Sequence, residues 1–156
     1  MKKLNKVLLG FVLFCSLLLL TGCSNKAAIG PESFQSKMEK KGFVIRDITD
    51  DPYYDENFEY AIIATNNEKN YQIELYVLST VDYAKSMFKN NKEIFEDAVE
   101  GTKSYTDVSV KNYSKYTQSD NSTYYVISRI ENTLIYAKEN KELKKEINEI
   151  LKDLGY

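Results

Sequence analysis

The sequence predicts a two-layer α+β fold, an antiparallel sheet of about five to six strands packed by two or three helices. Three observations carry that prediction. YQIELYVL, residues 71–78, alternates, with Tyr71, Ile73, Leu75 and Val77 on one face and Gln72 and Glu74 on the other, as in an antiparallel strand with one buried and one wet face. Runs rich in β-branched and aromatic residues come in pairs around short polar breaks, NNEKN at 66–70 and Glu131-Asn132. Two longer stretches, beginning near Ser79 and Lys141, space their apolar residues as one face of a helix.

The elements follow in order. A short helix is expected from Pro31, with proline suited to the first turn, Phe34 and Met38 four residues apart, and Gly42 where a left-handed cap would fall. FVIRDIT, residues 43–49, is a strand candidate, and DDPYYDEN after it is a loop. FEYAIIAT (58–65) and residues 71–78 form a hairpin across NNEKN. Ser79 and Asp82 offer a capping box for a long helix with the stripe Ala84, Met87, Phe88, Ile94, Phe95 and Ala98, ended by Gly101.

In the second half, a strand stretch runs from DVSVKNY (107–113) on to Gln118, and SDN (119–121) makes a turn. STYYVISRI (122–130) and TLIYA (133–137) then pair, with Asn132 supplying the positive φ of a tight turn. KELKKEINEILKDL, residues 141–154, closes the chain as a helix with Leu143, Ile147, Ile150, Leu151 and Leu154 on its apolar face and Gly155 as cap. Strands followed by a helix thus occur twice. That order would suit a duplicated unit, but matches between the halves are limited to scattered Tyr and Ile.

Ahead of the domain, Lys2, Lys3 and Lys6 precede an apolar run from Val7 to Leu20, followed by Thr21 and Gly22, the layout of a secretory signal peptide. The run is shorter than the ~20 residues a membrane-spanning helix requires. Leu20-Thr21-Gly22-Cys23 resembles the lipobox of bacterial lipoproteins. The resemblance implies a diacylglycerol on the Cys23 sulfur, cleavage between Gly22 and Cys23, and often a further acyl chain on the freed amine. Each buried methylene adds about 0.8 kcal/mol of membrane affinity, so two or three chains hold where one would exchange. The expected organisation is a signal peptide at 1–22, a lipidated tether at 23–30 and one α+β domain at 31–156. SNKAAIG (24–30) is small and polar, and fully extended it reaches at most about 25 Å.

Processing also sets the redox and charge character. Cys15 leaves with the signal and Cys23 carries lipid, so no disulfide is expected, and the remaining 134 of 156 residues fold through their own core. Loss of the three signal lysines takes 21 basic residues to 18 against 23 acidic ones, a net charge of about −5. Such a domain is expected neither to bind nucleic acid nor to adhere electrostatically to anionic lipid, both of which call for clustered Lys/Arg. The membrane is therefore a partner through the lipid on Cys23. Abundant Lys, Asn, Ile and Tyr, arginine only at Arg46 and Arg129, and no Trp are the bias of AT-rich codons. This points to a low-GC Gram-positive bacterium and to the outer face of its cell membrane.

Catalytic signals are few. The chain has no His, and its only cysteine after processing is Cys23, which excludes His-dependent triads and His-containing zinc sites. Six glycines stand singly, without a phosphate-binding loop. Neither enzyme activity nor a cofactor is expected. DDPYYDENFE, residues 50–59, gathers Asp50, Asp51, Asp55, Glu56, Asn57 and Glu59, oxygen ligands that Ca²⁺ favours. It lacks the DxDxDG spacing and the turn glycine, so no metal site is expected. Thirteen tyrosines, including Tyr53-Tyr54 and Tyr124-Tyr125, fit half-buried strands better than a dedicated contact surface. The function expected is a surface interaction or binding module that contacts an envelope protein or polymer near the membrane. The alternatives are a small-ligand carrier, which needs a deep apolar pocket, and a divergent carboxylate-based enzyme.

Overall fold

A computed structural model of the chain describes residues 25–54, 56–98 and 103–156. Helix α1 spans Pro31–Lys40, with Pro31 in its first turn and Phe34 and Met38 fully buried. It ends at Gly42, whose φ of 84° is open to glycine at no steric cost; the Phe43 N–H donates to the Met38 carbonyl at 3.1 Å and the Gly42 N–H to Glu39 at 2.9 Å. The last helix ends the same way, with Gly155 at φ 96° and the Tyr156 N–H on the Leu151 carbonyl at 2.8 Å.

Between them run β1 (Val44–Asp47), β2 (Phe58–Asn66), β3 (Tyr71–Leu78), helix α2 (Val81–Asp97), β4 (Ser104–Val110), β5 (Tyr113–Ser119), β6 (Thr123–Ile130) and β7 (Thr133–Asn140). A 3-10 turn at Lys141–Leu143 leads into α3, Lys144–Leu154. The strands form one antiparallel sheet in the order β1-β2-β3-β7-β6-β5-β4. The α+β class stands, but the sheet has seven strands rather than five to six. The extra strand comes from a two-residue turn at Lys111-Asn112, which splits the stretch expected to run unbroken to Gln118 into β4 and β5, with Val110 paired to Tyr113.

The two tight hairpins share one geometry. Lys111 has φ 53° and Glu131 has φ 51°, each followed by an asparagine. Asn132 therefore does not carry the positive φ expected of it. Its side chain instead donates to the Leu78 carbonyl at 2.6 Å, tying the turn to the end of β3.

Apolar side chains gather on both faces of the sheet. Ile62, Ile73, Leu75, Val77, Tyr124, Val126 and Ile135 share one cluster with Phe34 and Met38 of α1 and Ile147, Ile150, Leu151 and Leu154 of α3. Ala61, Tyr76, Leu78, Tyr116, Tyr125, Ile127 and Leu134 share the other with Ala84, Phe88 and Phe95 of α2. The wet face expected for β3 is thus itself packed, and Gln72 and Glu74 are half-buried. Tyr124 and Tyr125 point to opposite faces, and both are buried because both faces are covered.

Two details of α2 also differ from expectation. The cap is Thr80, one residue after Ser79; its extended backbone lets Oγ1 accept from the Tyr83 N–H at 3.1 Å. On the stripe, Ala84, Phe88 and Phe95 are buried, whereas Ile94 is 61% exposed and Ala98 is exposed. Gly101 lies outside the described residues. No helix among the described residues is long and apolar enough to cross a membrane.

Candidate functional site

Gly22 and Cys23, the residues expected to carry cleavage and lipidation, lie outside the described residues. The segment just after them is docked on the domain. The Lys26 N–H donates to Asn112 Oδ1 at 3.1 Å, and Asn112 Nδ2 donates back to the Lys26 carbonyl at 2.8 Å. Lys26 Nζ donates to the Gly155 carbonyl at 3.1 Å and stands 3.7 Å from the centre of the Tyr113 ring. Ile29 is buried in the α1 and α3 cluster. Residues 26–30, expected as a free tether, therefore form part of the domain surface, fixed by the β4–β5 turn and the end of α3.

The backbone of that turn has a second duty. The Asn112 carbonyl accepts from the Glu131 N–H at 2.9 Å, which sets the two tight hairpins side by side. Nearby, the Tyr156 hydroxyl contacts Thr133 Oγ1, which in turn donates to the Ile130 carbonyl at 2.7 Å. Burial pushes the Tyr156 phenol up to about 12. One end of the sheet, the N-terminal segment and the C-terminal residues thus form one hydrogen-bonded assembly.

The acidic loop resolves into local turns. Asp47 Oδ1 accepts from the Thr49 N–H at 2.9 Å and from Thr49 Oγ1 at 2.6 Å, and Asp51 Oδ1 accepts from the Tyr53 N–H at 3.1 Å. Asp50 and Asp51 are exposed beside a hollow lined by Asp47, Ile48, Thr49 and Tyr60. Asp55 lies outside the described residues. Among the described residues, no group of three or more Asp, Glu or Cys side chains is placed to hold a metal ion.

A less expected feature is the carboxylate of Glu74. Gln72 Nε2 donates to Oε1 at 2.6 Å and the Tyr76 hydroxyl donates to Oε2, all three residues lying two apart on the α2 face of β3. Burial raises the Glu74 carboxyl above its ordinary range, and the two hydrogen bonds lower it by less. Glu139, which accepts from the Gln72 N–H at 2.8 Å, is raised by burial and then by Glu74. Tyr54, Phe58 and Tyr76 form an aromatic trio beside this pair, with ring centres 5.0 to 6.0 Å apart. By contrast Glu146, held by Lys69 at 2.6 Å and by the Tyr71 hydroxyl at 2.9 Å, is lowered.

These shifts give a sign for pH dependence. A carboxyl raised in the folded state stabilises most below its unfolded value of 4.5 and loses that contribution as pH rises through its folded value. Glu74→Gln keeps an acceptor for Tyr76 and removes the charge, so it is expected to be more stable than the natural chain at neutral pH. The difference should shrink to nothing below pH 4.5. Urea midpoints at both pH values check this; a variant that is less stable at neutral pH would refute it.

Chemically, the Glu74 cluster offers a half-buried carboxylate that has no ammonium or guanidinium partner among the described residues. The groove beside α2, lined by Phe58, Leu78, Tyr83, Met87 and Asn90, holds about 240 Å³, below the ~300 Å³ at which small-ligand pockets begin. No family model, curated protein or solved structure matches this chain. Nothing in the sequence marks Lys26 or Asn112 as contact residues, and the alternation of β3 places Glu74 on a wet face. For Glu74 the signal was present, since Gln72, Glu74 and Tyr76 share one face of β3 at i, i+2 spacing. The Lys26–Asn112 pair spans 86 residues and has no local sign.

Proposed function

We propose that this chain is an exported lipoprotein, held at the outer face of the cell membrane by acyl chains on Cys23, and that its α+β domain works there by binding rather than by catalysis. The observation that carries the reading is Leu20-Thr21-Gly22-Cys23 closing the apolar run from Val7. A charged start, a short apolar core and a small-residue site before a cysteine are together what lipoprotein processing requires. The docked Lys26 segment supports it, because a fold joined directly to its anchor needs no long spacer. The partner would be an envelope protein or polymer within reach of the membrane.

Replacement of the Cys23 thiol removes the lipid acceptor. Cys23→Ser is expected to incorporate no radiolabelled palmitate in a bacterial host and to accumulate as a precursor that keeps residues 1–22. Label in the variant equal to that in the natural chain would end the lipoprotein reading.

A further inference from the structure

The anchor and the docked segment together orient the domain. Cys23 is three residues from Lys26, a contour length of about 10 Å. Lys26 is itself clamped at both its N–H and its carbonyl by Asn112 in the β4–β5 turn. Acyl chains on Cys23 would therefore hold the bilayer within about 10 Å of that turn, too close for the domain to reorient freely.

The surface there has a composition of its own. Val110 is 54% exposed and Val108 37% exposed, both on the outermost strand of the sheet, and Lys111 is exposed at the turn. Lys115, paired with Val108 across the hairpin, lies near Lys26. Among the described residues, neither Lys26 nor Lys115 has a carboxylate within ion-pair distance. Burial, and after it the Lys26 charge, hold the Lys115 ammonium below its ordinary range, a cost that an anion at this end would relieve. Apolar side chains flanked by lysines suit the headgroup zone, where aliphatic stems enter and ammonium groups meet lipid phosphate. The domain is acidic as a whole, and at this end Glu131 of the neighbouring turn stands against Lys26, Lys111 and Lys115.

We propose that the β4–β5 hairpin end, through Lys26, Val108, Val110, Lys111 and Lys115, is the face that the domain lays on an anionic lipid bilayer. The proposal rests on the lipid anchor at Cys23. It places the opposite end, with the NNEKN turn and the start of α3, away from the membrane and open to partners.

The natural chain has no Trp, so single tryptophans report position without background. Val110→Trp places one at the proposed face, and Asn67→Trp places the same ring on the exposed turn at the far end. Each full-length protein is purified from a bacterial membrane, weighed by mass spectrometry for acyl chains, and reconstituted in phosphatidylglycerol vesicles with brominated acyl chains. The Val110→Trp emission is expected to be quenched several-fold more than that of Asn67→Trp, and less so in phosphatidylcholine vesicles. Acylated protein with equal quenching of the two, or stronger quenching of Asn67→Trp, overturns the docking face and leaves the anchor intact. Protein without acyl mass overturns the anchor reading and the docking face with it. Equal Val110→Trp quenching in both lipids would overturn the role of the lysines.

Discussion

Phe95→Ala in α2 is expected to lose about 3–5 kcal/mol of folding stability. Phe95 is 1% exposed, and its ring meets Tyr125 at 5.1 Å and Tyr136 at 5.4 Å between centres. Removal of the ring takes away buried area and two aromatic pairs, each of about 0.5–1.5 kcal/mol beyond area. Its backbone is also engaged. The Phe95 carbonyl accepts from Gln118 Nε2 at 2.5 Å, and Gln118 Oε1 accepts from the buried Tyr116 hydroxyl at 2.6 Å. A cavity at this point loosens the end of α2 and a buried polar chain together. Domains of this size hold about 5–15 kcal/mol in total, so the variant should melt about 10–20 °C lower. Ile94→Ala, on the adjacent and largely exposed residue, should change stability by no more than about 0.5 kcal/mol. Chemical unfolding of both variants decides the matter. Equal losses would mean that α2 is rotated from the register described.

That contrast also shows how far the sequence could be read. The helical stripe of α2 was legible because Ala84, Phe88 and Phe95 recur at helical spacing. Ile94 fell on the same stripe because periodicity marks an apolar sector wider than the line of contact with a flat sheet. The strands β2 and β3 and both terminal helices were legible from alternation and from Gly42 and Gly155, where backbone chemistry admits few alternatives. The turn at Lys111-Asn112 was not, since lysine carries no preference for positive φ and nothing local interrupts the strand pattern. Glu74 was read as a solvent-facing residue because alternation was taken to leave one face wet. Helix α2 and the Tyr54–Phe58 aromatics cover that face, and only tertiary structure reveals it.

The N-terminal segment divides in the same way. The cysteine and its small neighbours are a local motif, legible from four residues. What the following segment does depends on contacts with residues 112, 113 and 155, which no local pattern contains. Small or polar residues such as Ser24, Asn25 and Ala27 signal only that no regular element forms there. Ile29 was the one large apolar residue in that run, and it is the one that is buried.

The second large effect follows from Ile29. A fragment of residues 25–156 is expected to be more stable than one of residues 31–156 by on the order of 2 kcal/mol, with both remaining monomeric. Ile29 is 8% exposed and shares its cluster with Phe34, Leu154 and Tyr156; full burial of an isoleucine contributes about 1.5–3 kcal/mol. The Gly30 carbonyl accepts from the Phe34 N–H at 3.0 Å, closing the first turn of α1. Hydrogen bonds of this kind contribute about 0.5–1.5 kcal/mol each, and the Lys26–Asn112 pair adds two more. Ordering the segment opposes these terms, so the net gain is smaller than their sum. Truncation at Pro31 gives up that net gain and exposes the ring of Tyr156 to water. Ile29→Ala in the longer fragment should reproduce most of the loss, because the side chain supplies the largest single contribution. Urea unfolding of the three proteins separates the outcomes. Fragments of equal stability would show that residues 25–30 form a free spacer.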